Sequence, residues 1–246
     1  MTTYTGMVHV HSTCSYDGQH SLDALVQEAK RRGYRFLGMS EHSDTLDSDR
    51  VAEFVAACNR VSSSDCLVIP GIEFTCKDKL HLLGFGVREF IVSDNPVEVS
   101  RFIHDRGGVA VVAHPRRYGY QIPPELVSEL DGIEVWNAGY DGRFVPDTNA
   151  LSLLQDLRKQ NPSLLGFGGQ DLHRLANHNY IGLSIGAAEL SHASVLEALR
   201  QGNFSIQGPL WTIDAKRKLK PGLAALLSVN RYLFDVGRSV RAALQQ

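Results

Sequence analysis

Val109-Ala110-Val111-Val112-Ala113-His114 decides how the rest of the chain is read. Five apolar residues in a row make a strand with both faces covered, the habit of a parallel sheet. A histidine then stands where the run ends. The same arrangement recurs in both directions along the chain. Val8-His9-Val10-His11 opens it, Phe36-Leu37-Gly38-Met39 leads into Ser40-Glu41-His42, and Leu67-Val68-Ile69 runs towards Gly71-Ile72-Glu73. Leu164 to Phe167 is followed, across Gly168-Gly169, by Asp171 and His173. Leu80 to Val87 and Gly132 to Trp136 read as further strands. Helical spacing fills the gaps: Leu22, Leu25, Val26 and Ala29 after Ser21, then Val51, Phe54, Val55, Cys58 and Val61 from about Ser48. Further helices are expected over Pro96 to Arg106, from Pro124, and over Pro146 to Gln160. Repeated βα units imply an α/β barrel or a doubly wound sheet, and in a barrel residues at strand C-termini converge on one face.

The chain has 246 residues, 21% charged and 43% hydrophobic, enough for one sizeable core in a soluble enzyme. A formal net charge of -2 provides no basic face for duplex nucleic acid. Cys14, Cys58, Cys66 and Cys76 form no CxxC pair, so reduced thiols and a cytoplasmic location are expected, with Cys14 and Cys76 near candidate ligands. The first residues lack the basic start and apolar core of a signal peptide, and no apolar run approaches the roughly 20 residues that span a bilayer. Residues 1–209 are expected to form the barrel. Residues 210–246 form a tail in which Lys216-Arg217-Lys218-Leu219-Lys220 precedes Leu223, Leu226, Leu227, Leu233, Val236 and Val240. A terminal helix packed on the barrel is the ordinary reading; contact with a membrane or a second copy is the alternative.

Six of the ten histidines, His9, His11, His42, His81, His114 and His173, fall at strand ends. Residues two apart on a strand point the same way, which pairs His9 with His11, and Asp171 stands in the same relation to His173. One histidine beside an apolar strand is usually a satisfied core or surface residue, and His20, His104, His178 and His192 are read so. Six of them together with carboxylates suggest a metal centre. Mixed imidazole and carboxylate donors suit zinc, manganese or iron better than magnesium or calcium.

His9 to Gly18 (HVHSTCSYDG) resembles the opening motif of the PHP (polymerase and histidinol phosphatase) family. Ser40-Glu41-His42-Ser43 is similar to its second motif, which more often reads Thr-Asp-His. Gly71-Ile72-Glu73 with His81-Leu82-Leu83-Gly84, then Ala113-His114-Pro115 and Asp171-Leu172-His173, resemble the others in order, over about residues 7–205. The resemblance implies a distorted seven-stranded, TIM-like β/α barrel with two or three divalent metal ions. It implies that His9, His11, Glu73 and Asp171 hold one ion, that Glu73 bridges to a second completed by His81 and His114, and that Asp17, His42 and His173 hold a third. Asp17 stands where some members carry histidine.

The expected reaction is hydrolysis of a phosphate ester of a small metabolite or nucleotide. A hydroxide between two metals would attack, with no side-chain base beyond the ligands. Arg116 and Arg117 are candidate phosphate contacts. Glu41 is expected to orient a ligand. Asn137 is a weaker substrate-contact candidate, and Tyr16, Tyr118 and Tyr120 are read mainly as packing. The chain between His81 and His114 leaves room for one strand and one helix, too little for a sizeable inserted domain. Alternatives are a phosphotyrosine-protein phosphatase, an amidohydrolase cleaving a C–N bond, and a non-catalytic PHP module.

Overall fold

The computed structural model describes residues 2–216, 227, 229–233 and 236. Its strands are β1 (Thr2–Val10), β2 (Phe36–Met39), β3 (Glu41–His42), β4 (Leu67–Ile69), β5 (Gly71–Thr75), β6 (His81–Phe85), β7 (Val109–Val112), β8 (Gly132–Asn137), β9 (Leu165–Gly169), β10 (Gly182–Ala187), β11 (Phe204–Gln207) and β12 (Thr212–Asp214). The helices are α1 (Leu22–Arg31), α2 (Ser48–Val61), α3 (Pro96–Asp105), α4 (Pro124–Val127), α5 (Ala138–Asp141), α6 (Thr148–Leu157) and α7 (His192–Gln201). Each longer helix begins where a polar side chain can accept a free backbone N–H. Ser21, Asp47, Asn95 and Asp147 do so for α1, α2, α3 and α6, and Ser191 with Ser194 forms a reciprocal cap on α7.

Among the described residues the strands pair into two sheets, ordered β12-β11-β10-β1-β2-β4 and β3-β5-β6-β7-β8-β9. The mixed α/β reading holds, but the apolar strands expected in a parallel sheet pair in both senses. β5–β6, β6–β7, β1–β10, β10–β11 and β11–β12 are antiparallel. The link from β5 to β6 is too short for a crossover, which needs a dozen or more residues. Ser40 interrupts β2/β3 and Pro70 interrupts β4/β5, so these two runs pass from one sheet into the other. Proline has no N–H to continue a ladder. Beyond β9, Gln170 N–H donates to Val8 O at 2.9 Å and Leu172 N–H to His9 O at 3.1 Å, joining the end of the second sheet to β1.

Phe36, Phe74, Phe85, Trp136 and Phe167 fill the interior with no more than 1% exposure, each contributing roughly 1.5–3 kcal/mol of burial. They anchor the strands whose ends carry the polar residues. The expected boundary at residue 209 falls inside a hairpin, because β12 pairs with β11. Of the basic run only Lys216 is described, and Leu223, Leu226 and Val240 lie outside the described residues. Leu227 and Arg231 are buried, while Tyr232, Leu233 and Val236 are exposed. Among the described residues no helix is long and apolar enough to cross a membrane.

Candidate metal centre

Three ligand candidates sit on left-handed backbone: His9 at φ 59°, His114 at φ 26° and Asp171 at φ 50°. Such values are uncommon for non-glycine residues and cost on the order of 1–3 kcal/mol each. At His9 the register of β1 against β2 shifts between Val8 and Val10. Simple alternation therefore does not align His9 with His11. A bulge does, a device that re-aims side chains. Asp171 reaches towards His9 and His173 Nε2 towards Asp17, while His173 Nδ1 stays 3.6 Å from Asp171 Oδ1.

His9 Nε2 lies 3.5 Å from both Glu73 Oε2 and Asp171 Oδ1, and His11 Nε2 lies 3.5 and 3.7 Å from the same two atoms. These four of the six separations are close to the edges of a tetrahedral donor set. Ligand bonds near 2.0–2.2 Å imply edges of about 3.3–3.6 Å. His9, His11 and Glu73 are fully buried, and His9 Nε2, His11 Nε2 and Glu73 Oε2 have no hydrogen-bond partner. An unsatisfied buried polar atom costs about 1–3 kcal/mol, so convergent ones fit a cation. The other oxygen, Glu73 Oε1, accepts from His81 Nδ1 at 2.6 Å and His114 Nε2 at 2.9 Å. One carboxylate thus faces two donor groups.

At the rim, Asp17 Oδ1 is 3.4 Å from His42 Nε2 and Asp17 Oδ2 is 3.2 Å from His173 Nε2, with the two imidazole nitrogens 3.3 Å apart. His42 Nδ1 also comes within 3.1 Å of Glu73 Oε2, and the ring stacks on His11. The rim trio is continuous with the inner group.

Buried charge is balanced locally. Burial alone would lower His9, but Glu134, Asp171 and Glu73 together hold it well above its ordinary value. Burial lowers His11, and His9, His173 and His42 add to that against the pull of Glu73. Burial would raise Glu73, yet His9, His114, His42 and His81 hold it well below the usual carboxylate range. His11 and Glu73 are thus biased towards the neutral imidazole and ionised carboxylate that a metal binds, whereas His9 would give up a proton on binding one.

Glu134 was missed in the sequence. It lies in β8 between Ile133 and Val135, 1% exposed. Its Oε1 accepts from His9 Nδ1 at 2.9 Å, and Oε2 accepts from His114 N–H and Asn137 Nδ2 at 2.8 Å each. A carboxylate inside an apolar strand must have partners, and that was the available signal. Such a contact fixes the ring and its tautomer, leaving Nε2 for a metal. A Cβ on Gly169 would come within 2.0 Å of Glu134 Oε1, so glycine is required there. Glu41 supports the other side, accepting from Ser12 N–H at 3.0 Å and Ser15 Oγ at 2.6 Å.

Of the two candidate phosphate contacts, Arg117 faces the site, its Nη1 3.4 Å from His81 Nδ1, whereas Arg116 lies 3.8 Å from Asp141. Asn137 holds Glu134. Tyr16 stacks on His42 while 69% exposed, Tyr118 donates to Ala113 O, and Tyr120 donates to Asp147. His104 bonds Asp131, His178 bonds Tyr34 and His192 bonds Val68 O, which are structural roles. A cleft of about 840 Å³ lined by Lys77, Leu80, Arg101, Tyr118 and Ile122 holds none of the ligand candidates.

A buried histidine–carboxylate constellation at strand ends marks an α/β protein with side-chain groups able to hold metal ions. The PHP domain matches residues 8–165, and the chain belongs to that family. No curated protein matches its sequence significantly. Among solved structures it is similar to a two-domain Bacteroides vulgatus protein described as containing a predicted PHP-like metal-dependent phosphoesterase. The TM-score is 0.61 at 20% identity over 84% of this chain, which spans only 65% of that one. PsfC from Pseudomonas syringae matches with TM-score 0.61 and 16% identity over 95% of this chain and 100% of its own. A Chromobacterium violaceum amidohydrolase, solved with bound sulfate, matches with TM-score 0.50 and 16% identity over 82% of this chain and 97% of its own. At these identities the likeness is one of fold.

Proposed function

We propose that the protein is a metal-dependent phosphoesterase acting on a small phosphorylated metabolite or nucleotide. The observation that carries this is the approach of four donor atoms, the Nε2 atoms of His9 and His11 each lying 3.5–3.7 Å from both Glu73 Oε2 and Asp171 Oδ1. They would hold one divalent zinc, manganese or iron ion. Glu73 would bridge to a second ion with His81 and His114, and Asp17, His42 and His173 would hold a third. Such ions, when bound, supply Lewis-acid charge and make water a nucleophile at neutral pH. Glu134 fixes the His9 ring, Glu41 and Ser15 fix the loop of His11, and Arg117 offers a planar fork to phosphate oxygens at the rim. The distorted seven-stranded barrel is supported by the passage of β2/β3 and β4/β5 between sheets and by the bonds from Gln170 and Leu172 to β1. Four free thiols accord with a cytoplasmic location.

A C–N bond hydrolase is the second reading, favoured by the fold shared with the Chromobacterium amidohydrolase. Metal analysis of purified protein, followed by a screen of phosphomonoesters, cyclic phosphates and carboxamides with Mn²⁺, separates the two. Phosphomonoester hydrolysis supports the first; activity on carboxamides alone overturns it.

A further inference from the structure

A line of contacts runs from His9 to the C-terminal segment. Glu134, which receives His9, also accepts from Asn137 Nδ2, and Asn137 N–H donates to Asp141 Oδ2 at 2.8 Å. Asn137 Oδ1 accepts from Tyr140 N–H at 3.1 Å, capping α5. A four-residue helix has little stability of its own. Even so, α5 forms part of the wall around the ligands: the Tyr140 ring lies 4.9 Å from that of His114, and Gly139 packs so closely that a Cβ there would sit 3.3 Å from Asp171 Oδ2.

The far end of α5 is held by Arg231. Its Nη1 donates to Asp141 O at 3.0 Å and Val145 O at 3.4 Å, and Nη2 lies 3.7 Å from Asp141 Oδ1. Arg231 is 4% exposed, although Tyr232 and Leu233 beside it are 69% and 61% exposed. Burying a guanidinium is costly unless it is paired. Here its fork meets two carbonyls and a carboxylate at once, which the single ammonium of lysine matches poorly. Burial, with Asp147 nearby, pushes the Asp141 carboxyl up to about 7, and Arg231 and Arg116 pull against that.

We propose that Arg231 is a positioning residue for the metal centre: by clamping Asp141 and Val145 it fixes α5, and through Asn137 and Glu134 it sets the ring of His9. The C-terminal segment thereby contributes to the metal centre through Arg231, which acts on the ligands through Asp141, Asn137 and Glu134. This rests on His9 being a metal ligand.

The test measures Mn²⁺ affinity of the full chain by competition with a chromophoric chelator, alongside thermal melting and kinetics. Arg231→Ala should weaken the tightest Mn²⁺ site about tenfold, the low end for groups behind a ligand. Arg231→Lys should weaken it severalfold, and millimolar guanidinium should restore part of the alanine loss. kcat should fall more than KM rises. Lys159→Ala, removing an exposed cation paired with Asp156, should change nothing. Losses from Arg231→Ala and Glu134→Gln should fall well short of adding, as expected for one connected line. An Arg231→Ala protein that melts earlier but binds Mn²⁺ like the parent overturns the proposal. If the alanine variant does not fold, parental affinity in Arg231→Lys does the same. A parent chain that takes up no Mn²⁺ defeats the metal-centre reading itself.

Discussion

His9, His11, Glu73 and His114 are at most 2% exposed, whereas Asp17 and His173 keep 38% and 24% of their side chains in solvent. The inner residues are also the better supported. Glu134 grips His9 and the backbone of His114, Glu41 and Ser15 hold the His11 loop, and Glu73 receives two histidines. At the rim, His173 Nδ1 donates to Asp171 O, and Asp17 is tied mainly by its contacts to His42 and His173. An inner ion should therefore be held by geometry fixed during folding, and a rim ion should exchange with solvent.

Removing Glu73 should have the largest effect. Glu73→Ala should lose metal and drop phosphoester hydrolysis at least about a thousandfold, the equivalent of roughly 4 kcal/mol in the barrier. Metal content and kcat/KM check it, and an alanine variant that keeps both would erase the special standing of the inner group. Glu134→Gln should cost about 10–100-fold in affinity of the inner ion without touching a ligand, read by chelator competition. Asp17→Ala should cost about tenfold in rate, with two ions still bound by elemental analysis; loss of all metal would show that rim and inner groups are one unit. His178, a buried structural histidine, calibrates the comparison in metal-free protein. Burial, with Arg32 adding to it, pushes it down to about 4; its Nδ1 accepts from Tyr180 N–H and its Nε2 donates to the Tyr34 hydroxyl oxygen at 3.1 Å. The unfolded chain binds this proton near 6.5 and the folded one only near 4, so its contribution is complete above pH 6.5 and is lost as pH falls towards 4. His178→Gln should flatten the decline in Tm over that window.

The strand ends were legible because a polar residue after a continuous apolar run has few cheap explanations. His114 after Val109–Ala113 and Glu73 after Leu67–Ile69 both stood out in that way, and all nine candidate ligands come together. Glu134 is harder to find because it stands inside β8, between Ile133 and Val135, and not at a strand end. β10 is glycine-bearing and β11 alternates over only four residues, so the antiparallel half of the first sheet carries little signal in the sequence. The bulge at His9 has no local composition cue; it arises from pairing with a strand distant in sequence. Arg116 looked like a partner of Arg117, but adjacent residues leave a short helical turn in different directions, and only one faces the site.

The left-handed backbone at His9, His114 and Asp171 also restricts which replacements can survive there. Asparagine, aspartate and glycine can adopt that conformation readily, whereas valine, isoleucine and threonine would suffer a backbone penalty besides removing a candidate ligand. A library seeking a new metal preference should therefore be biased towards Asn and Asp at positions 9, 114 and 171. Full chemical diversity belongs at position 17, where no such conformational filter operates.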